Sequence, residues 1–429
     1  MYWHSPFIAL ALASAAPSVV AECNPRENRY CTEIRRLAQD ARVRRALMSI
    51  ERNNARARRD LIELTQIPAP PFKEEVRARR FLQMLRESGA DSVWIDSVGN
   101  AIGLRRGTGG GRTVVLEGHL DTVFPEGTDV TVKVRGDTLA APGIGDDTRG
   151  LVVVLETLRA LNEAQIRTQA DVLFIGTVGE EGLGDLRGVK HLFREGAPKI
   201  DSYIAVDGGD LARVAVEGIG SHRYKVTYKG PGGHSWGAFG TANPVHALGR
   251  AIRLFDERAD RHTRTGPRTT YNVGRIGGGT SVNSVAFEAW MEVDMRSESD
   301  ASLQAIDKIL QESVQQALRE QNSLLRRDDP LTVTVEMVGN RPSGKADPHA
   351  PLVQRTRAAI AHLGGKPELG SGSTNSNLPF SLGVPAVTIG RGGKGGDAHA
   401  LTEWWIDDQG HLAIQNALLL VLADAGMSR

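Results

Sequence analysis

Thr113-Val114-Val115-Leu116-Glu117-Gly118-His119-Leu120-Asp121-Thr122 joins a β-branched, apolar run to a histidine and an aspartate two residues apart. The run has the length and content of a buried strand, and it stops at a glycine. In extended chain, residues i and i+2 point the same way, so His119 and Asp121 face one point beyond the strand's carboxyl end. A neutral imidazole there suits a metal ion, with the carboxylate behind it orienting the ring. A lone His-x-Asp is more often ordinary hydrogen-bonded structure, so the decision rests on the neighbouring strands.

Those strands end in the same way. The apolar run 171–178 leads to Glu180-Glu181, 202–206 leads to Asp207, and 385–390 leads through a glycine-rich loop to Asp397-Ala398-His399. Gly145-Asp146-Asp147 precedes a helical pattern over 151–161. Taken singly, the Asp pair is a helix cap, the Glu pair a solvated loop, Asp207 a turn cap and His399 a structural residue. Taken together, they gather at one edge of a sheet. Strand–helix alternation predicts an α/β domain with a mostly parallel central sheet, whose ligands bind beyond the carboxyl ends of the strands. Two histidines and several carboxylates without cysteine suit Zn²⁺, with Co²⁺ or Mn²⁺ as substitutes. Two ions fit better than one, because a carboxylate between two cations bridges them and the second Glu of the pair stays free as a general base.

The rest of the 429-residue chain divides around this core. Strand-like alternation at 221–228, 268–276, 286–295 and 331–338, with helical patterns at 243–258 and 301–321, describes a separate α+β unit inserted into the first domain. The expected boundaries are 67–217 and 341–429 for the catalytic domain, 218–340 for the insertion and 22–66 for an arginine-rich helical extension with a solvated outer face. Residues 1–21, with an apolar run over 7–20 and a small-residue end at Ala21, read as an export signal too short for a membrane span. Cys23 and Cys31 then favour one disulfide in a periplasmic or secreted protein. Lys plus Arg is 52 against 51 for Asp plus Glu, which gives no whole-chain reason to expect nucleic acid.

The ordered set GHLDT (118–122), PGIGDDTRG (142–150), GEEGLGDLRG (179–188), AVDGG (205–209) and DAH (397–399) resembles the co-catalytic zinc exopeptidase and aminoacylase family. That family includes carboxypeptidase G, peptidase T, carnosine-type dipeptidases and succinyl-diaminopimelate desuccinylase. The resemblance runs from about residue 67 to the C-terminus and implies a zinc-exopeptidase-like catalytic domain with a lid that also forms a homodimer. It implies two Zn²⁺ per subunit: His119 and Asp207 on one, His399 on the other, Asp146 bridging, and Glu181 completing the second site or its partner. Asp146 is preferred to Asp147 because family members with a double Asp use the first. Glu180 becomes the general base for a water between the ions, and Asp121 the support of His119. His234, in GPGGHS, is implied to steady the oxyanion in the neighbouring subunit. Asn283 is implied to bind substrate in a glycine-rich turn, and Arg341 to grip a terminal carboxylate. The expected activity is zinc-dependent hydrolysis of short peptides with a free carboxylate; deacylation of N-acyl amino acids is the alternative. A non-catalytic peptide- or metal-binding homologue would have lost a ligand or the base, and all are present.

Overall fold

The computed structural model describes residues 28–109, 111–327 and 329–428. The expected export signal and Cys23 lie outside the described residues. Cys31 is disulfide-bonded.

A 9-stranded sheet forms the centre. Its middle strands run Asp171–Thr177, Thr113–His119, Ser202–Val206 and Ala386–Ile389, each parallel to the next. These are the runs with the most apolar, β-branched content, and burial on both faces is what a parallel arrangement demands. The flanks are antiparallel: Ser92–Ile95 and Ala101–Arg105 form a hairpin on one side, and Arg213–Gly218 and Gly344–Lys345 lie on the other. The sheet is therefore mixed, parallel through its core and again at its margin, where Glu368–Gly372 runs parallel to Arg213–Gly218. The short connection between Ile95 and Ala101 permits no crossover, which fixes that pair as a hairpin.

Register brings the strand ends level. His119 pairs with Thr177, Glu117 with Ala205, and Val206 with Ile389, so the chain leaves the parallel strands at one edge. Helices Thr148–Glu163 and His411–Ala425 cover one face. Every residue of the second from Ala413 to Ala425 is buried, because the helices Arg29–Gln39, Ala41–Arg52 and Pro351–His362 pack on it, while Asn54–Thr65 packs on Thr148–Glu163. The helical pattern read over 32–66 is cut at Asp40, whose carboxylate caps the second helix by accepting from the amides of Arg42 (2.8 Å) and Val43 (3.4 Å). Among the described residues, no helix is long and apolar enough to cross a membrane.

A second sheet holds Thr269–Gly278, Glu288–Ser297, Gly220–Lys229 and Thr332–Arg341 in that order, all antiparallel. Burial alternates along Glu288–Ser297, as it must when one face is covered. Helices Pro244–Thr263 and Asp300–Ser323 supply the cover, and Val226, Met291, Met295, Phe255, Ile306 and Leu310 form its separate core.

A small four-stranded sheet was not legible in the sequence. It joins Lys394–Gly396, Trp404–Ile406, Thr138–Ala140 and Lys133–Arg135. Through it, the segment before Asp146 is tied to the segment after His399.

Candidate metal centre

The strand ends converge on a cluster of imidazoles and carboxylates. His119, Asp146 and Glu181 each offer one ligand atom, all within 4.8 Å of one another. Asp146 stands between two histidines: its Oδ1 is 3.2 Å from His119 Nε2 and its Oδ2 is 3.2 Å from His399 Nε2. His399 Nε2 is also 2.8 Å from Glu181 Oε1. Nitrogen and oxygen donors without thiolate fit Zn²⁺, Co²⁺ or Mn²⁺, and an imidazole stands against each oxygen of Asp146. Asp207 leaves its strand beside them, its amide donating to Ile389 O at 3.0 Å, and its carboxylate lies outside the 4.8 Å set.

The neighbouring carboxylates hold backbone in place. Both oxygens of Asp121 accept from main chain, Oδ1 from the Glu180 amide (3.0 Å) and Oδ2 from the Glu181 amide (2.7 Å). The His119 ring is steadied mainly by the Asp121 carbonyl, 3.0 Å from Nδ1, with the Asp121 carboxylate farther off at 3.7 Å. Asp147 turns away from the cluster. It caps the Thr148–Glu163 helix at the Gly150 amide (3.1 Å) and accepts from the His119 amide (3.1 Å). Gly118 makes this possible, since a Cβ there would stand 3.0 Å from Asp147 Oδ2 and from the Leu151 amide.

Electrostatics follow from burying so much like charge. Burial would raise Asp146, but the His119 and His399 imidazoles against it hold it far below the usual carboxylate range. Burial pushes Glu180, Glu181 and Asp207 up, and nearby carboxylates push each of them further. Asp146 and Glu181 raise His399 to about 10.

The remaining candidates fall into two groups. Arg341, 3% exposed, donates from Nη1 to Glu180 Oε1 (3.0 Å) and Ser373 Oγ (3.1 Å), and from Nη2 to the Glu180 carbonyl. His234 lies on a two-stranded ribbon, Gly233–His234 against Ser284–Val285, and Asn283 immediately precedes the second strand, its carbonyl accepting from the Ser235 amide at 2.9 Å. His234 Nδ1 accepts from the amides of Trp236 (3.2 Å) and Gly237 (3.3 Å), and Asn283 Oδ1 accepts from Ser281 Oγ (2.5 Å). Among the described residues neither bonds to the cluster.

Two residues at the site were missed in the sequence. Glu403 is buried and binds the amides of the Asp146 loop, and Arg391 is buried beside Gly145. A carboxylate just before the apolar Trp404-Trp405-Ile406 run was the available signal for the first.

The sequence model of peptidase family M20/M25/M40 matches residues 115–423. The chain is 25% identical over 358 residues to the uncharacterized protein YqjE of Bacillus subtilis, spanning 79% of this chain and 91% of that one. It is 25% identical over 225 residues to carboxypeptidase G2 of Pseudomonas sp. (strain RS-16), spanning 51% and 52%. Its fold matches aminopeptidase PepT of Bacillus cereus with a TM-score of 0.65 at 22% identity, over 86% of this chain and 98% of that one. With the match running from inside the His119 strand to the last helix, the chain belongs to peptidase family M20/M25/M40 and is a hydrolase.

Proposed function

We propose that this chain hydrolyses the amide bonds of short peptides bearing a free carboxylate, as an exopeptidase or dipeptidase that works with two zinc ions. The observation that carries this reading is Asp146 between His119 and His399, at 3.2 Å from each, with Glu180-Glu181 beside it. His119 and Asp207 would hold one ion, Glu181 and His399 the other, and Asp146 both. When bound, such a pair polarises the scissile carbonyl and makes a water more acidic. Glu180 takes a proton from the attacking water and returns it to the leaving amine.

Arg341 has a double part in this scheme. Its guanidinium now holds Glu180 Oε1 at 3.0 Å, and planar guanidinium also suits a substrate carboxylate. A substrate that takes Arg341 frees Glu180 to act. The 218–340 unit serves as a lid over a catalytic domain built from 67–217 and 341–429. In a homodimer joined through that unit, His234 steadies the oxyanion of the opposite protomer's substrate, and Asn283 donates to the substrate itself. The chain is exported, loses residues 1–21, and acts in the periplasm or outside the cell.

The test is product analysis of a library of dipeptides, tripeptides and N-acyl amino acids, using chelated protein before and after zinc is returned. Zinc-dependent release of amino acids from peptides is expected; release only from N-acyl amino acids would replace the peptidase reading with a deacylase. Glu180→Gln is expected to keep its metal and lose about 10²–10⁴-fold in kcat. No cleavage by a protein shown to hold two zinc ions would overturn the proposal. Arg341→Met is expected to erase any preference for free over amidated C-termini, and a preserved preference would remove Arg341 from substrate binding.

A further inference from the structure

The loop 142–147 carries Asp146, and its backbone is buried without a helix or ladder to satisfy it. Buried amides require acceptors. One side chain supplies three of them. Glu403 Oε2 accepts from the Gly143 amide at 2.6 Å, and Oε1 accepts from the amides of Gly145 (2.9 Å) and Asp146 (2.8 Å). Neighbouring backbone N–H groups turned around one anion form a nest-like cradle; here the Gly143, Gly145 and Asp146 amides surround the chain's own carboxylate, while the intervening Ile144 amide donates to the Ala141 carbonyl at 3.2 Å.

Glu403 is itself fixed. It is 1% exposed, its carbonyl accepts from the Ala141 amide at 3.0 Å, and the next residue, Trp404, pairs with Ala140 in the small sheet. The loop closes on it tightly. A Cβ at Gly145 would stand 2.9 Å from Glu403 Oε1 on one side and 2.7 Å from Arg391 Nη2 on the other. Burial raises the Glu403 carboxyl, against the pull of the Asp146 and Gly143 amides and of the Arg391 charge, and Arg391 is itself only 7% exposed.

We infer that Glu403 is a positioning residue for the metal centre, fixing through the Gly143, Gly145 and Asp146 amides the direction in which Asp146 presents its two oxygens. The inference rests on the reading of Asp146 as the bridging ligand. A carboxylate has acceptor positions for all three amides, whereas a carboxamide turns an N–H₂ towards at least one of them. Glu403→Gln therefore keeps the volume and loses the nest. The peptide that Glu403 holds is the one that carries Asp146, so the loss appears first in metal binding.

The experiment uses the full chain, chelated and then titrated with Co²⁺, whose visible absorption reports coordination geometry, with Zn²⁺ as competitor. Glu403→Gln is expected to keep the wild-type far-ultraviolet circular dichroism and the melting temperature of the chelated protein. It is expected to bind metal about 10–100-fold more weakly, with an altered Co²⁺ spectrum. Glu403→Asp is expected to recover part of the affinity. Gly145→Ala displaces the loop while leaving the carboxylate in place, and it decides the matter if Glu403→Gln melts well below wild type. Unchanged affinity and spectrum in Glu403→Gln, or in Gly145→Ala in that case, overturn the inference while leaving the metal reading intact. A wild-type chain that takes up neither ion overturns both.

Discussion

Glu117 sits one strand step behind His119, and its carboxyl is wholly inside the protein. Oε1 accepts from Thr177 Oγ1 (2.5 Å) and Asn375 Nδ2 (2.7 Å), and the buried Tyr203 hydroxyl acts on the same carboxyl as its weakest donor. Burial raises this carboxyl to about 7, against the pull of its donors. Below the ordinary value of 4.5 it is protonated in folded and unfolded chain alike. Between there and about 7 only the unfolded chain ionises, so stability falls across that window and is level above it. Glu117→Gln is expected to remove this slope and to stabilise the chelated protein at pH 8 by about 1–3 kcal/mol, with no gain at pH 4, measured by urea unfolding. His399, raised to about 10, carries a proton at neutral pH in metal-free protein. Metal uptake at pH 7.5 is expected to release protons, read by calorimetry in buffers of different ionisation enthalpy. His119, Glu181, Asp207 and His399 could be singled out because each lies at or beyond the end of a strand whose pattern can be read locally, and Asp146 because it opens a readable helix. Glu403 was not, because its three amides lie about 260 residues earlier and no local pattern records them.

At the scale of elements, the segment 180–190 is fastened to the root of the second sheet. Arg341 holds Glu180, Arg223 Nη1 donates to the Gly182 carbonyl, the Asn340 amide donates to Asp185 Oδ1 (2.7 Å), and Lys190 Nζ donates to the Asn340 carbonyl (2.9 Å). These bonds tie the Glu180-Glu181 pair to that sheet. The sheet is braced by Asp307 on its long helix, which accepts at Oδ2 from Tyr224 Oη (2.7 Å) and lies 2.7 Å from His222 Nδ1. Burial would raise Asp307, and these partners with Gln311 hold it below the ordinary carboxylate value. Asp307→Ala is expected to cost about 1–3 kcal/mol at pH 7. The difference from wild type is expected to shrink as pH falls below 3.8, where the depressed carboxyl loses its contribution. The long strands of this sheet were readable from alternation. Arg213–Gly218 and Glu368–Gly372 of the central sheet were not; the second is glycine- and serine-rich, and pairing at the sheet margin decides the state of both.

Across the whole molecule, the N-terminal helices close a core that the sheet and its helices leave open. Arg56 pairs with Glu156 and Glu163, each at 2.7 Å, and Arg355 joins Glu33 (3.1 Å) to Asp424 (2.9 Å). Beneath them lies the His411–Ala425 helix, apolar on nearly every side, and such a helix is stable only when covered all round. A chain beginning at residue 67 is expected to bind a hydrophobic dye and aggregate on warming, while the longer chain from residue 22 does neither. The strands of the central sheet come from distant parts of the chain, and the Glu403 nest does so most sharply, joining Asp146 to a residue 257 positions later. During synthesis the ribosome delivers His119, Asp146, Glu181 and Asp207 long before Glu403 emerges. Until then the loop has no anion to fold around. If Glu403 positions Asp146 as inferred, a nascent or truncated chain lacking its last 30 or so residues holds most of the proposed ligands in sequence, and metal loading is expected to wait until Glu403 has joined the fold.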